Sequence, residues 1–210
     1  MSGSDNRITV IDPGVSNLAS LRNAIQALDI PVTITSDPGV IEEAEKLILP
    51  GVGAFAPAIS RLQELELREL IVEKAESGTP LLGICLGMQL LFTTSYENGR
   101  HAGLDLIPGE VVKFSGVGKI PHMGWNSADF RGDMNPLAVN LPDEAYFYFV
   151  HSYYCVPDEP DDVLATCSYG TEFAASVNRG NVWGVQFHPE KSQKPGLQIL
   201  KNFAEMSVKP

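Results

Sequence analysis

Basic residues are scarce in this chain: 15 lysines and arginines stand against 26 aspartates and glutamates, giving a formal net charge of -11 over 210 residues. That balance excludes the clustered positive surface that nucleic acid or an anionic membrane requires. Long apolar runs are lacking as well. Nothing approaches the roughly 18 consecutive apolar residues of a membrane span, and the polar start "MSGSDNR" has no apolar stretch of the signal-peptide kind, so a cytoplasmic location is expected. Only three cysteines occur, Cys85, Cys155 and Cys167. They are odd in number and far apart, which suggests neither a disulfide framework nor a Cys-x-x-Cys metal site, and no metal or cofactor is expected. Repeats, low-complexity tracts and linkers are also missing. With 44% hydrophobic residues, the chain is expected to form one domain over 1–210, residues 1–6 being a disordered lead.

What is present is an alternation of two periodicities. "RITVID" reads as a short β-branched strand, and "SNLASLRNAIQALD" places Leu18, Leu21, Ile25 and Leu28 at helical spacing behind Ser16 as an N-cap. "VTITSD", a short helix near "VIEEAEK", and the strand "KLILPG" follow. A long helical region is predicted through "ISRLQELELRELIVEKAES", then the buried strand "PLLGIC", then a helix through "LGMQLLFTTS". Such alternation predicts an α/β fold whose mainly parallel sheet is covered by helices on both sides. In the second half "EVVKFSG", "AYFYFVHSYYCV", "VLATCSY", "EFAASVNRG" and "NVWGVQFHPE" are strand-like, with no long helix before "GLQILKNFAEMSV". They predict an antiparallel or mixed extension of the same sheet.

Three stretches carry chemistry. In "GICLG", Gly83 and Gly87 flank Cys85 where a strand turns into a helix, the layout of a nucleophile elbow with cysteine in place of serine. A structural cysteine in a glycine-rich turn would give the same local pattern. An attacking thiol needs a base. Of His101, His122, His151 and His188, the last ends a strand at Pro189, and Glu190, two residues on, can lie beside it and orient its ring. In "LILPGVGAF", glycines on either side of Val52 allow a peptide to rotate. A backbone N–H of Val52 or Gly53, with that of Leu86, could then form an oxyanion hole. An ordinary β-turn would also satisfy this stretch. All three fall at C-terminal ends of predicted strands, the edge where open α/β sheets build their sites.

With "PGVGAF", "GICLGMQLLF" and "GVQFHPE" in this order, the chain resembles the class I glutamine amidotransferases. The resemblance implies a flavodoxin-like three-layer fold and hydrolysis of the glutamine side-chain amide. It implies Cys85 as nucleophile, His188 as acid and base, and Glu190 as orienter. It also implies substrate contacts at Gln89, Glu97, Ser152 and Tyr153. "VIDPGVSNLASLRNAI", "KIPHMGWN" and "YFVHSYY" are similar to the glutaminase subunits of imidazole glycerol phosphate synthases within that family. That implies a (β/α)8-barrel cyclase subunit as heterodimer partner and recipient of the ammonia, in histidine biosynthesis. The chain departs from that pattern at Pro13, usually aromatic, and at Ser16, usually glycine. Two rivals stand beside this expectation: another cysteine hydrolase on an α/β sheet, and a binding subunit that keeps the fold without catalysis.

Overall fold

The computed structural model describes residues 6–14, 18–131 and 135–206. Its first half runs β1 (Ile8–Ile11), α1 (Leu18–Gln26), β2 (Val32–Thr35), α2 (Pro38–Glu42), β3 (Leu47–Gly51), α3 (Phe55–Glu64), α4 (Leu67–Glu76), β4 (Leu81–Cys85) and α5 (Leu86–Leu90). Then come β5 (Phe92–Ser95), β6 (His101–Ala102), β7 (Ile107–Lys113), β8 (His122–Ser127) and β9 (Asp129–Phe130). The chain continues through β10 (Tyr146–His151), β11 (Tyr153–Pro157), β12 (Val163–Ser168), β13 (Glu172–Arg179), β14 (Val182–Val185) and α6 (Gln193–Glu205). The main sheet has the order β2-β1-β3-β4-β14-β13-β12-β9. Its first five strands are parallel, in the order of flavodoxin-like folds, and β13, β12 and β9 extend it antiparallel. The predicted fold class is therefore the observed one.

Burial explains the layers. Every residue of β1, β3, β4 and β14 is buried, as parallel strands between helices must be. Leu21 and Ile25 of α1 and Ile199, Leu200 and Phe203 of α6 fill the core on one face. Ile41, Phe55, Leu62, Leu67 and Ile71 from α2, α3 and α4 fill it on the other. A two-stranded sheet, β10-β8, and a four-stranded sheet, β11-β7-β5-β6, lie outside the main one. No helix among the described residues is long and apolar enough to cross a membrane.

Four readings differ from expectation. "EVVKFSG" and "AYFYFVHSYYCV" form strands of the two smaller sheets and do not extend the main one. The long helical region is two helices, broken at Glu66 with φ 58°. Leu62 and Leu67 are both fully buried. Five helical residues apart they would point about 140° away from each other, and the break brings both onto the core. The helix after Cys85 ends at Leu90, and "FTTS" is strand β5, whose β-branched Thr94 pairs with both β6 and β7. "AYFYFVHSYYCV" divides at Ser152: β10 pairs with β8 and β11 with β7. The Ser16 cap and the departure at Ser16 lie outside the described residues, as do residues 1–5. Pro13 is buried just after β1.

Candidate active site

The three chemical stretches end three neighbouring strands, β3, β4 and β14, at the same edge of the sheet. Cys85 has φ 55° and ψ -109°, a conformation that side-chain-bearing residues avoid and that aims the thiol out of the turn. Glycine is required around it. A Cβ on Gly83 would lie 2.7 Å from Gly87 O and Met88 N, and one on Gly87 would run into the backbone oxygen of Leu49. The helix that follows the cysteine thus packs directly on two strands. Gly53 has φ 96° and open space around it.

His188 follows β14, with Nδ1 donating to Glu190 Oε1 at 2.8 Å. Both side chains are buried. The His188 backbone is fixed from two sides: its N–H donates to Tyr148 O at 2.9 Å and its carbonyl accepts from Ser192 Oγ at 2.6 Å. Ring Nε2 is buried without a hydrogen bond of good geometry. Burial works against charge on this ring, but interaction with the Cys85 sulfur and the Glu190 carboxylate outweighs it and pushes the pKa up to about 10. The ring therefore carries two protons at neutral pH. Nδ1 holds one against Glu190, and the other is available at Nε2.

A cavity of about 310 Å³ is lined by Val52, Gly53, Cys85, Leu86, Gln89, Glu97, Ser152, Tyr153 and His188, with Pro121, Val150 and His151. Every site residue singled out in the sequence lies on it except Glu190, which sits behind His188. A larger hollow of about 500 Å³ between Arg7, Thr33 and Glu45 has neither cysteine nor histidine. Glu97 Oε2 accepts from Phe55 N at 2.7 Å, where α3 begins and a carboxylate is favoured. Among the described residues, no group of three or more His, Cys, Asp or Glu could hold a metal ion.

The sequence did not single out the hydrogen-bonded chain behind this cavity. His151 Nδ1 lies 2.8 Å from Tyr153 O, and a carbonyl can only accept, so His151 carries its proton on Nδ1. Its Nε2 then accepts from His122 Nδ1 at 3.1 Å, and His122 Nε2 faces the amide of Asn126 at 3.4 Å. Gln89 Nε2 also donates to Tyr153 O, at 3.0 Å. Burial is the leading cause that pushes His122 down to about 4 and His151 down to about 3. An unfolded histidine titrates near 6.5. Between that pH and about 4 the unfolded chain binds protons that the native pair refuses. The stability owed to the neutral pair is thus complete above about pH 6.5 and lost as the pH falls toward 4. Urea titrations are expected to show stability declining below pH 6.5, with a shallower decline in His122→Gln; equal slopes would refute the assignment.

The strand ends have the layout of a cysteine-dependent amide hydrolase: a strained thiol, an imidazole with a carboxylate behind it, and backbone donors nearby. The profile of the family "Glutamine amidotransferase class-I" matches residues 9–206, and the chain belongs to that family. It is 54% identical over 199 residues to "Imidazole glycerol phosphate synthase subunit HisH" of Moorella thermoacetica, covering 95% of this chain and 94% of the relative. The protein of that name from Syntrophotalea carbinolica is 48% identical over 206 residues, covering 95% and 100%. Among solved structures, "Crystal structure of glutamine amidotransferase" aligns with a TM-score of 0.74 at 19% identity, over 95% of this chain and 99% of that one. "Structure of PurLQS from Thermotoga maritima" aligns with a TM-score of 0.75 at 18% identity, over 95% and 98%. These structural likenesses show the shared fold.

Proposed function

We propose that this chain hydrolyses glutamine to glutamate and ammonia in the cytoplasm, and passes the ammonia to a (β/α)8-barrel cyclase. The cyclase uses it to make imidazole glycerol phosphate and aminoimidazole carboxamide ribotide. The carrying observation is the convergence of Cys85, His188 and Glu190 at the ends of β4 and β14, on a cavity that accommodates a free amino acid. End-to-end identity to the HisH subunits supports the choice of pathway.

The Cys85 sulfur attacks the amide carbon of glutamine. The resulting oxyanion is held by the N–H groups of Leu86 and of Val52 or Gly53, each donor contributing about 3 kcal/mol to the transition state. His188 gives the Nε2 proton to the departing ammonia, then takes a proton from the water that releases glutamate, while Glu190 keeps the ring in place. Glu97 offers its second carboxylate oxygen to the substrate ammonium, and Gln89, Ser152 and Tyr153 complete the binding site.

Ammonia released into water becomes mostly ammonium, a poor nucleophile, so a docked partner is needed at the cavity mouth. The outer face of the β8–β10 ribbon suits that role. Met123, Trp125 and Tyr146 are 60%, 48% and 51% exposed, and Tyr148 pairs with Trp125 in register. Val150 of the same ribbon lines the cavity. Glutamate release is expected to rise strongly when a barrel cyclase and its nucleotide substrate are added, and Trp125→Ala to weaken the complex about 10- to 30-fold. No complex and no stimulation by the cyclase would end the pathway assignment.

A further inference from the structure

We propose that Gln186 is a further catalytic residue, whose carboxamide N–H holds the Cys85 sulfur in its attacking position and ties it to the substrate-binding side chain Gln89. This rests on Cys85 being the nucleophile. β14 ends at Val185, and the bend that follows turns the Gln186 side chain to the cysteine turn, which His188 also faces, while Val185 and Phe187 enter the core. Gln186 is completely buried, and its backbone N–H is fixed to Ala175 O at 2.9 Å. A carboxamide in such a place is costly unless both of its ends are bonded.

The direction of each amide follows from one acceptor. Gln89 Nε2 lies 3.0 Å from the Tyr153 carbonyl, which cannot donate, so the NH2 of Gln89 must face it. The same Nε2 lies 3.1 Å from Gln186 Oε1, which takes its second hydrogen. Gln186 therefore presents its own NH2 to the sulfur, with Nε2 3.7 Å from Cys85 Sγ, a normal length for an N–H···S bond. A turned amide would aim an acceptor at an electron-rich sulfur and leave Gln89 donating to a donor. The order is fixed: Tyr153 carbonyl, Gln89, Gln186, sulfur. Gln89 and Tyr153 line the cavity, so occupancy by substrate bears directly on the group that steadies the nucleophile.

The test uses the chain in complex with the barrel cyclase, and reads glutamate release together with thermal unfolding. Gln186→Met keeps the volume and removes both the donor to the sulfur and the acceptor for Gln89. It is expected to lower kcat about 10- to 100-fold, the range of a hydrogen bond to a charged group, with KM within about threefold and the melting temperature lower by several degrees, about the cost of a buried Gln89 N–H left without its acceptor. Gln186→Glu keeps the acceptor for Gln89 and replaces the donor by an oxygen. When ionised it repels the sulfur, and when protonated it donates to it, so its activity relative to wild type should rise as the pH falls from about 8 to about 6. A kcat for Gln186→Met within about threefold of wild type would overturn the proposal. So would a pH-independent ratio for Gln186→Glu, since a purely structural amide would give losses that follow the folded fraction alone. Cys85→Ala is the control: activity surviving in it removes the underlying mechanism, whereas its inactivity beside unimpaired Gln186 variants removes only the role of Gln186.

Discussion

Cys85→Ala is expected to lower glutamine-dependent glutamate release by at least about 10⁴-fold, the order seen when a covalent nucleophile is removed from a preorganised site. The fold should be unaffected, because alanine takes up the strained turn at least as easily as cysteine. Neither of the other thiols can stand in. Cys155 is buried, and that burial, with the nearby Cys85 sulfur, raises its pKa well above the ordinary thiol range. Burial pushes Cys167 up to about 12. A glutamine-like alkylating reagent should accordingly label Cys85 and leave both others untouched, as read by peptide mass. Ammonia supplied in solution bypasses the missing step, so the docked cyclase should still turn over with ammonium salts at high pH. Residual glutaminase within a hundredfold of wild type, or loss of the ammonia-dependent reaction as well, would show that Cys85 does not perform the chemistry assigned to it.

Gly87→Ala is expected to be among the most damaging glycine-to-alanine changes at the described residues, costing more than about 4 kcal/mol and leaving little soluble protein. The added carbon would have to share space with the Leu49 backbone oxygen, and neither side can yield. Leu49 belongs to a fully buried strand paired on both sides, and Gly87 to the helix that the cysteine turn starts. Gly53→Ala provides the contrast. Nothing stands within 4 Å of its Cβ position, so its cost is confined to the positive φ, about 1–2 kcal/mol. Denaturant unfolding of the two variants side by side separates a steric requirement from a conformational one. Equal stabilities would mean that strand and helix do not approach as closely as described.

The parallel half of the sheet was legible because each of its strands is a short apolar run between punctuating Gly, Pro or Asp, and the adjacent helices have clear apolar faces. The triad was legible because its parts sit at strand ends and because His188 and Glu190 are two residues apart, although a 3-10 turn over Pro189–Lys191, not the expected extended chain, brings the two side chains together. Gln186 obeys that same spacing relative to His188, and the signal was there to be used. His122 and His151 were not legible as a pair. They meet only because β8 and β10 align them in register, a long-range pairing that no local pattern encodes. The breaks at Glu66 and Ser152 escaped for a related reason. Periodicity continued through both, and it was tertiary demand that divided them: two leucines needing one core, and one strand serving two sheets.

Strand alternation in the β8–β10 ribbon constrains how this protein can diverge. Met123, Trp125, Tyr146, Tyr148 and Val150 share its outer side, while Phe147 and Phe149 enter the core and His122 meets His151 on the inner side. Inserting or deleting one residue in either strand would exchange the two sides, exposing the histidines and burying the tryptophan. Lineages can therefore retune this surface only by substitution at every second position, never by changing its length. Covariation with a partner should accordingly fall on alternate positions of residues 122–127 and 146–151, while the intervening ones drift with the core.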